Sequence, residues 1–228
     1  MSIIAAVYDP LGILSPIILE GRIILQNMCR EKLSWDNEFG KDYQLKIKKW
    51  IEKLERVKNN MIPRCFKPIM HSDIISMEWH FFSDASQMGY GAVAYLRLIA
   101  TDGSIFCNYI IGKTPVAPLK AVSLPRLELA AATLSVKLKG VLEKELDLEF
   151  NSVYFWTDST TVLKYLHNRN LKFQTFVANR VVIIHDGSRG SKWRYIPSKL
   201  NPADDSTRAI QSERWCYGPE FLRQSKDL

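Results

Sequence analysis

Apolar residues recur at helical spacing in the first quarter of the chain. Residues 13–34 read as a helix that Pro16 punctuates. From residue 42 to residue 57, apolar side chains follow a helical period with lysines and glutamates between them; they are Tyr43, Ile47, Trp50, Ile51, Leu54 and Val57. Such a stripe is typical of a helix face buried in a core. The pattern therefore predicts a helical N-terminal segment.

The period of the apolar residues changes in the middle of the chain. Asn59-Asn60 and Ile62-Pro63-Arg64 end the second helix, and residues 60–75 read as a linker or an irregular crossing. Three runs rich in apolar and aromatic residues then predict strands over residues 77–83, 89–98 and 104–112. Because the gaps between these runs are short, we expect an antiparallel meander.

A long helix and several shorter elements complete the pattern. Pro125 suits a first helical position, and the apolar face behind it consists of Leu127, Ala130, Ala131, Leu134, Leu138 and Val141. The following residues predict a strand at 152–157, helices at 159–167 and 173–184, a strand at 192–197 and a helix from Asn201. This order predicts an α/β fold in which helices flank a mixed sheet.

Acidic residues stand at the ends of several of these elements. Asp84 ends the first strand, Glu128 lies in the first turn of the long helix, and Asp158 ends the fourth strand. Asp204 and Asp205 lie in the first turns of the last helix. Strand ends that meet helix starts form the usual ligand crevice of an α/β sheet. The acids therefore mark a candidate site at that edge.

Each of these acids also has a simpler structural explanation. Taken alone, Asp158 before Ser159 reads more readily as a helix cap than as a site residue. Glu128, and either Asp204 or Asp205, could face a helix dipole. Four such placements in one fold are harder to explain by repeated capping. Clustered carboxylates are the ligands that Mg²⁺ and Mn²⁺ prefer, and two such ions can hydrolyse a phosphodiester.

The composition is that of a globular protein with a moderate excess of positive charge. The 228 residues are 46% hydrophobic and 24% charged, and 31 Lys and Arg against 24 Asp and Glu give a formal net charge of +7. This excess suits a polyanionic partner and an ordinary basic protein about equally. The cysteines are scattered without a C-x-x-C pair, so neither a disulfide framework nor a zinc site is expected.

The N-terminal sequence carries no recognisable targeting signal. It starts MSIIAAVYDP, with no basic n-region and too short an apolar core for a signal peptide. Asp9, Pro10, Pro16, Glu20 and Arg22 interrupt the apolar stretch, so it cannot span a membrane. We therefore expect an intracellular protein without a membrane partner.

A series of short motifs runs through the chain in a fixed order. The series lies at residues 8–12, 35–36, 62–64, 82–86, 90–93, 125–129, 156–160, 176–180, 197–199, 201–204 and 218–222. It includes FSDAS around Asp84, PRLEL around Glu128, WTDST around Asp158 and NPAD before Asp205. The ordered series resembles the ribonuclease H-like region that follows the reverse transcriptase in BEL/Pao-type retrotransposons, part of which also carries the label Pao retrotransposon peptidase.

This resemblance implies a domain organisation and a function. Residues 76–210 would form a ribonuclease H-like domain with a five-stranded mixed sheet flanked by helices. Residues 1–75 would be a helical remnant of the reverse transcriptase thumb and connection, and residues 211–228 a tail leading towards a downstream region. The implied activity is hydrolysis of the RNA strand of an RNA–DNA hybrid with two Mg²⁺ or Mn²⁺ ions. The implied setting is a polyprotein with reverse transcriptase and integrase, in the cytoplasm, a virus-like particle or the nucleus.

The resemblance also assigns site residues. Asp84, Glu128, Asp158 and Asp204 would be the catalytic metal ligands, with Asp205 as the alternative fourth ligand. A hybrid-binding surface needs phosphate and 2′-OH contacts; the candidates are Ser86, Gln87, Arg126, Ser159, Thr160, Asn179, Arg180 and Lys199.

Two features leave other functions open. The loop at residues 197–201 lacks the histidine that many ribonucleases H carry before the last aspartate, so the chain could be a weakly active or inactive nucleic-acid-binding remnant. An aspartic peptidase needs two Asp-Thr/Ser-Gly loops whose carboxylates share a proton. Neither Asp84 nor Asp158 is followed by that glycine, which makes the peptidase the weaker alternative.

Overall fold

A five-stranded mixed sheet lies at the centre of the fold, as the sequence predicts. The computed structural model describes residues 2–33, 40–57, 65–66, 72–146, 150–168 and 172–225. The strands are β1 (Ile74–Ala85), β2 (Tyr90–Ala100), β3 (Ile105–Lys113), β4 (Ser152–Thr157) and β5 (Lys192–Tyr195). They lie in the order β3-β2-β1-β4-β5. The first three strands form the predicted antiparallel meander, whereas β4 runs parallel to both β1 and β5.

Helices flank the sheet and form the N-terminal segment. Those in the described residues are α1 (Ser2–Ala5), α2 (Ser15–Arg30), α3 (Lys41–Val57), α4 (Leu124–Glu145), α5 (Thr160–His167), α6 (Thr175–Gly187), α7 (Pro202–Thr207) and α8 (Glu213–Tyr217). Short 3₁₀ turns lie at Ser198–Leu200 and Glu220–Arg223. The α/β class with helices around a mixed sheet is therefore confirmed.

Two boundaries differ from the sequence prediction for physical reasons. Pro16 lies in the first turn of α2 and does not interrupt it, because a proline there gives up no intrahelical hydrogen bond. The carboxylate of Asp9 accepts hydrogen bonds from the backbone N–H groups of Ile13 and Leu14, at 3.0 and 2.8 Å, and so holds the start of this helix. The predicted linker over residues 60–75 is wrong at its end, because β1 already begins at Ile74 and pairs with Ala100.

β1 is buried on both of its faces. Trp79 and Phe81 pack into a core with α4, whose Leu129 is also fully buried. The side chains between and beside them point to the other face, where Phe82 packs with the buried Trp215 of α8. A strand covered on both sides has no solvent-facing side, which explains why apolar residues such as Trp79, Phe81 and Phe82 occupy both faces of β1 before Asp84.

The N-terminal helices have a core of their own and also contact the sheet. The buried indole of Trp50 on α3 donates a hydrogen bond of 2.8 Å to the carbonyl of Ile17 on α2. The hydroxyl of Tyr109 on β3 donates to the carbonyl of Leu11 at 2.9 Å. The N-terminal segment therefore contacts the sheet at Leu11. Its origin in a reverse transcriptase thumb and connection stays a prediction, and so does the boundary at residue 75.

The C-terminal segment covers the second face of the sheet. The buried Arg97 of β2 donates hydrogen bonds of 3.0 Å to the carbonyls of both Leu222 and Gln224. The indole of Trp215 donates to the carbonyl of Ile13 at 2.9 Å. The described part of the predicted tail, residues 211–225, is thus tied to both the sheet and the N-terminal segment.

Some sequence motifs lie outside the described residues. These are Trp35-Asp36, Asn59-Asn60 and Ile62-Pro63-Arg64. Among the helices of the described residues, none combines the length and the apolar character that spanning a bilayer requires.

A pair of glycine substitutions tests the packing of α2 against α3. A Cβ atom added at Gly21 would lie 2.7 Å from the Trp50 ring, whereas one at Gly140 on α4 would meet no atom within 4 Å. We expect Gly21→Ala to lower the free energy of unfolding by about 1–3 kcal/mol through this overlap. Gly140→Ala should raise it by up to about 1 kcal/mol through helix propensity. Urea denaturation followed by circular dichroism measures both, and equal stabilisation by the two alanines would contradict the described contact.

Candidate active site

The parallel pairing of β1 with β4 brings two of the predicted acids to one edge of the sheet. Ser83 of β1 pairs with Thr157 of β4. Asp84 directly follows Ser83, and Asp158 directly follows Thr157. Asp84 still lies inside β1, opposite Gly91, while Asp158 directly follows β4. Both carboxylates therefore stand at the same end of neighbouring strands, as the sequence predicts.

Asp84 is the most buried of the four predicted ligands, with 7% of its surface exposed. The hydroxyl of Thr207, the last residue of α7, donates a hydrogen bond to its Oδ2 atom. Burial raises the pKa of Asp84 to about 7; the bond from Thr207 opposes this shift, and the negative charges of Asp158 and Asp204 add to it. Three of the four predicted acids are therefore close enough to influence one another.

Glu128 is linked to this group through Ser159. The hydroxyl of Ser159 donates a hydrogen bond of 2.6 Å to Glu128 Oε2 and accepts one of 3.1 Å from the backbone N–H of Val162. Ser159 is thus the cap of α5, and the alternative reading of Asp158 as that cap is wrong. The placement of Glu128 in the first turn of its helix is also wrong, because α4 begins at Leu124 and has no acid in its first turn. The alternative explanation of Glu128 as a first-turn acid at the helix dipole is therefore wrong as well.

Asp158 is held by the turn that precedes α7. The hydroxyl of Ser198 donates a hydrogen bond of 2.6 Å to Asp158 Oδ2. Ser198 begins the 3₁₀ turn in which the sequence has no histidine. This turn therefore contacts the candidate site through a hydroxyl group.

Asp204 and Asp205 have different partners. Asp205 is buried, and Arg214 binds it with two bonds, Nε to Oδ2 at 2.9 Å and Nη2 to Oδ1 at 2.5 Å. Ser212 donates a further hydrogen bond of 2.6 Å to the same carboxylate. Asp204 instead faces the other acids, and its Oδ1 atom accepts a bond of 2.7 Å from Arg208 Nε. The geometry thus separates the two neighbours that the sequence leaves ambiguous.

Arg208 brings a positive charge to the acids. Its hydrogen bond to Asp204 is the main cause that raises the pKa of its guanidinium, and the charges of Asp204, Asp84 and Asp158 raise that pKa further. Sequence reasoning missed this residue, although its spacing of four from Asp204 on a helix is the usual signal of an ion pair. It also missed Thr207 and Ser198, whose hydroxyls carried no signal in the sequence.

The donor chemistry of the group fits a hard divalent cation, but its present contacts are made within the protein. Asp84, Glu128, Asp158 and Asp204 offer only carboxylate oxygens, the ligands preferred by Mg²⁺ and Mn²⁺. Each carboxylate accepts a hydrogen bond or forms an ion pair with a neighbouring side chain. Within the ranges that the structure describes, no three His, Cys, Asp or Glu side chains are arranged to hold a metal ion. These side chains would have to exchange their present partners for a cation.

Two of the predicted nucleic-acid contacts share one aromatic ring. The guanidinium carbons of Arg180 and Arg126 lie 3.5 and 5.2 Å from the centre of the Phe176 ring. Arg126 Nη2 also donates a hydrogen bond of 3.2 Å to Gln174 Oε1. Among the described residues, no carboxylate pairs with either arginine. The two arginines therefore form a pair of cations that is held by an aromatic ring and has no carboxylate partner in the described residues.

The other predicted contacts divide into accessible and engaged residues. Gln87, Thr160, Asn179 and Lys199 are exposed. Ser86 is engaged, because its hydroxyl donates a bond of 2.8 Å to the carbonyl of Thr207 and so ties the end of β1 to α7. Ser159 is engaged by Glu128 in the same way. The two serines therefore position elements around the acids.

Known ribonuclease H structures resemble parts of this chain at low sequence identity. RNase H1 from the halophilic archaeon Halobacterium salinarum NRC-1 is 15% identical, with 56% of this chain and 90% of that chain covered and a TM-score of 0.34. The N-terminal RNase H domain of Rv2228c from Mycobacterium tuberculosis is 11% identical, with 59% and 96% covered and a TM-score of 0.38. LC11-RNase H1, solved in complex with an RNA/DNA hybrid, is 13% identical, with 59% and 96% covered and a TM-score of 0.35.

A family model assigns this chain to a family. None of the curated proteins matches the sequence. The model of the Pao retrotransposon-like RNaseH-like domain matches residues 1–159, which include the N-terminal helices, Asp84, Glu128 and Asp158. Since this match spans well over half of the chain, and the sheet and its flanking helices have the expected α/β arrangement, the protein belongs to the Pao retrotransposon-like RNaseH-like domain family.

Proposed function

We propose that this protein is a metal-dependent endonuclease that hydrolyses the RNA strand of RNA–DNA hybrids as part of a retrotransposon polyprotein. The observation that carries the proposal is the pairing of Ser83 with Thr157, which places Asp84 and Asp158 side by side at the end of two parallel strands. Asp204 influences the same carboxylate of Asp84 from α7. Hydrolysis of a phosphodiester by divalent metal ions requires several carboxylates grouped in this way to bind the ions.

Four carboxylates would hold the metal ions. In this proposal they are Asp84, Glu128, Asp158 and Asp204. The chemistry that two bound Mg²⁺ or Mn²⁺ ions supply is activation of a water molecule and stabilisation of the leaving oxygen. In the free protein, hydroxyl groups hold three of these carboxylates in place, since Thr207, Ser198 and Ser159 each donate to one of them.

The substrate would be bound through its phosphates beside the acids. Arg126 and Arg180 are held against Phe176 and have no carboxylate partner in the described residues. Arginine binds phosphate oxygens through its fork of N–H donors. The exposed side chains of Gln87, Thr160, Asn179 and Lys199 would add polar contacts to the backbone or the 2′-OH groups. Reverse transcriptase and integrase would be the neighbouring parts of the polyprotein.

A non-catalytic nucleic-acid-binding domain is the second candidate function. One observation favours it: every one of the four carboxylates is already bonded to a neighbouring side chain. Such a domain would bind a hybrid in a salt-sensitive manner without cleaving it. For an aspartic peptidase, by contrast, Asp84 would have to lie within a tight loop, whereas it pairs with Gly91 inside β1 and the turn to β2 follows at residues 86–89.

Cleavage of a hybrid tests the proposed activity directly. We expect the purified protein to cut the labelled RNA strand of a hybrid in Mg²⁺ or Mn²⁺. Asp84→Asn and Asp158→Asn should each reduce the rate by about 10²-fold or more, because each removes a carboxylate charge that would hold the metal ions. Asp186→Asn is the matched control. Asp186 lies on α6 and pairs with Arg189, and it precedes the first residue of β5, whereas Asp84 and Asp158 lie at the ends of their strands. A folded wild-type protein that binds the hybrid but leaves it intact with both ions would instead support the non-catalytic function.

The two neighbouring aspartates should separate by stability and activity. Asp205→Asn breaks the buried pair with Arg214, so we expect the free energy of unfolding to fall by about 2–4 kcal/mol. Asp204→Asn breaks a more exposed ion pair with Arg208 and should cost less than about 1 kcal/mol, while it abolishes cleavage. Urea denaturation and the hybrid assay together measure both effects. Loss of cleavage without loss of stability in Asp205→Asn would assign the fourth ligand to Asp205.

The arginine pair predicts a salt-dependent loss of affinity. Arg126→Ala and Arg180→Ala should each weaken hybrid binding. Each should also make the negative slope of log K against log salt shallower by about 1. Fluorescence anisotropy of a labelled hybrid in EDTA at several salt concentrations measures this slope. The control is Arg189→Ala, which removes an arginine that already pairs with Asp186. If both alanine variants bind like the control, the pair is not a phosphate site.

A further inference from the structure

Arg208 is an exposed cation beside the acids, and the part of the residue nearest the backbone is held in place. Its side chain is 59% exposed, and its Nε atom lies 2.7 Å from Asp204 Oδ1. Its backbone N–H donates to the carbonyl of Asp204 at 3.1 Å, at the point where α7 ends. Ala209 then adopts a left-handed conformation with φ of 58°, which turns the chain away from the helix. The guanidinium is therefore held at its Nε atom, while its terminal nitrogens are accessible.

Only part of the guanidinium is engaged. The bond to Asp204 uses Nε, and within the described residues the two terminal nitrogens have no hydrogen-bond partner. The neighbouring Arg214 differs, because all of its nitrogens are committed, to Asp205 and to the carbonyl of Lys199. Arg208 can therefore leave its present partner without leaving a buried charge unpaired, whereas Arg214 cannot.

Arg208 and a divalent cation would compete for the same carboxylate. Exposed ion pairs such as Arg208–Asp204 are weak, so a more strongly bound cation can replace the guanidinium. Once displaced, the guanidinium would remain at the edge of the acids, close to a phosphate group of any strand bound there. Its free N–H donors suit phosphate oxygens.

We propose that Arg208 exchanges partners: it pairs with Asp204 in the free protein, and it contacts a backbone phosphate of the bound hybrid once a divalent cation occupies Asp204. This role rests on the proposed metal-dependent function, and it assigns to Arg208 a cationic task at the site in which residues 197–201 carry no histidine. It involves no covalent or proton-transfer step. Arg208 therefore weakens metal binding and strengthens substrate binding.

Two binding measurements without cleavage test this exchange. Titration of Mn²⁺ alone into the full chain, followed by calorimetry, should show about two- to five-fold tighter binding by Arg208→Ala than by the wild type, because the competing cation is gone. In the Asp204→Asn background, the same substitution should tighten Mn²⁺ binding much less, because only the longer-range effect of the Arg208 charge on Asp84 and Asp158 remains. A merely structural role of Arg208 would not tighten metal binding.

Hybrid binding tests the second half of the exchange. In EDTA, where Arg208 keeps its partner Asp204, Arg208→Ala and the wild type should bind a labelled hybrid with similar salt dependence. In Ca²⁺, used as a divalent probe, the negative slope of log K against log salt should be shallower by about 1 for the alanine variant than for the wild type. Arg208→Lys should retain most of the slope. Arg189→Ala is the matched control, since Arg189 also forms an exposed ion pair, with Asp186, and is 82% exposed.

The outcomes separate this inference from the proposed function. Unchanged or weaker Mn²⁺ binding by Arg208→Ala, or an unchanged salt slope in Ca²⁺, would overturn the exchange. A wild type that binds neither Mn²⁺ nor hybrid would overturn it as well. Neither readout uses turnover, so a protein that shows both effects but cleaves nothing would retain the exchange and lose only the nuclease activity.

Discussion

The parallel register between β1 and β4 is the constraint on which the candidate site depends. Ser83 pairs with Thr157, and a slip of one residue would move Asp84 to the opposite face of the sheet. The register is well specified because side chains of β1 are packed into a core on each side of the sheet, Phe81 on one face and Phe82 on the other. The two cores that stabilise the fold thereby also set the separation of the carboxylates.

The second face of the sheet carries a buried polar network that supports this arrangement. Burial lowers the pKa of His80, whose Nδ1 atom accepts a hydrogen bond of 3.1 Å from Trp156 Nε1 and whose Nε2 atom faces Glu78 at 3.3 Å. Burial would raise the pKa of Glu78, but the hydrogen bonds from His80 and Arg97 outweigh it and lower that pKa to about 2. Arg97 then binds the backbone carbonyls of the C-terminal segment. The charge of Glu78 thus helps to hold the cover of the sheet in place.

The sequence predicted those features that depend on local pattern. The strand runs, the long helix and the placement of Asp84 and Asp158 at strand ends all follow from periodicity, and the sheet confirms them. The motif resemblance favours Asp204 over Asp205, but the local pattern gives no physical reason for that choice, because the partner that engages Asp205 is Arg214, nine residues away along the chain. The local pattern also missed Thr207 as a partner of Asp84, since that contact joins residues separated by 123 positions.

The partners of the acids sort them by role. Asp84, Glu128 and Asp158 each accept a bond from a single hydroxyl group, and Asp204 pairs with an exposed guanidinium. A hydroxyl can rotate away at a net cost of about 0.5–1.5 kcal/mol, and an exposed ion pair costs even less to break. Asp205 accepts two bonds from Arg214 and one from Ser212, and its release would leave a partly buried charge unpaired. Four of the acids can therefore exchange their partners for a ligand, while the fifth holds α7 and α8 together.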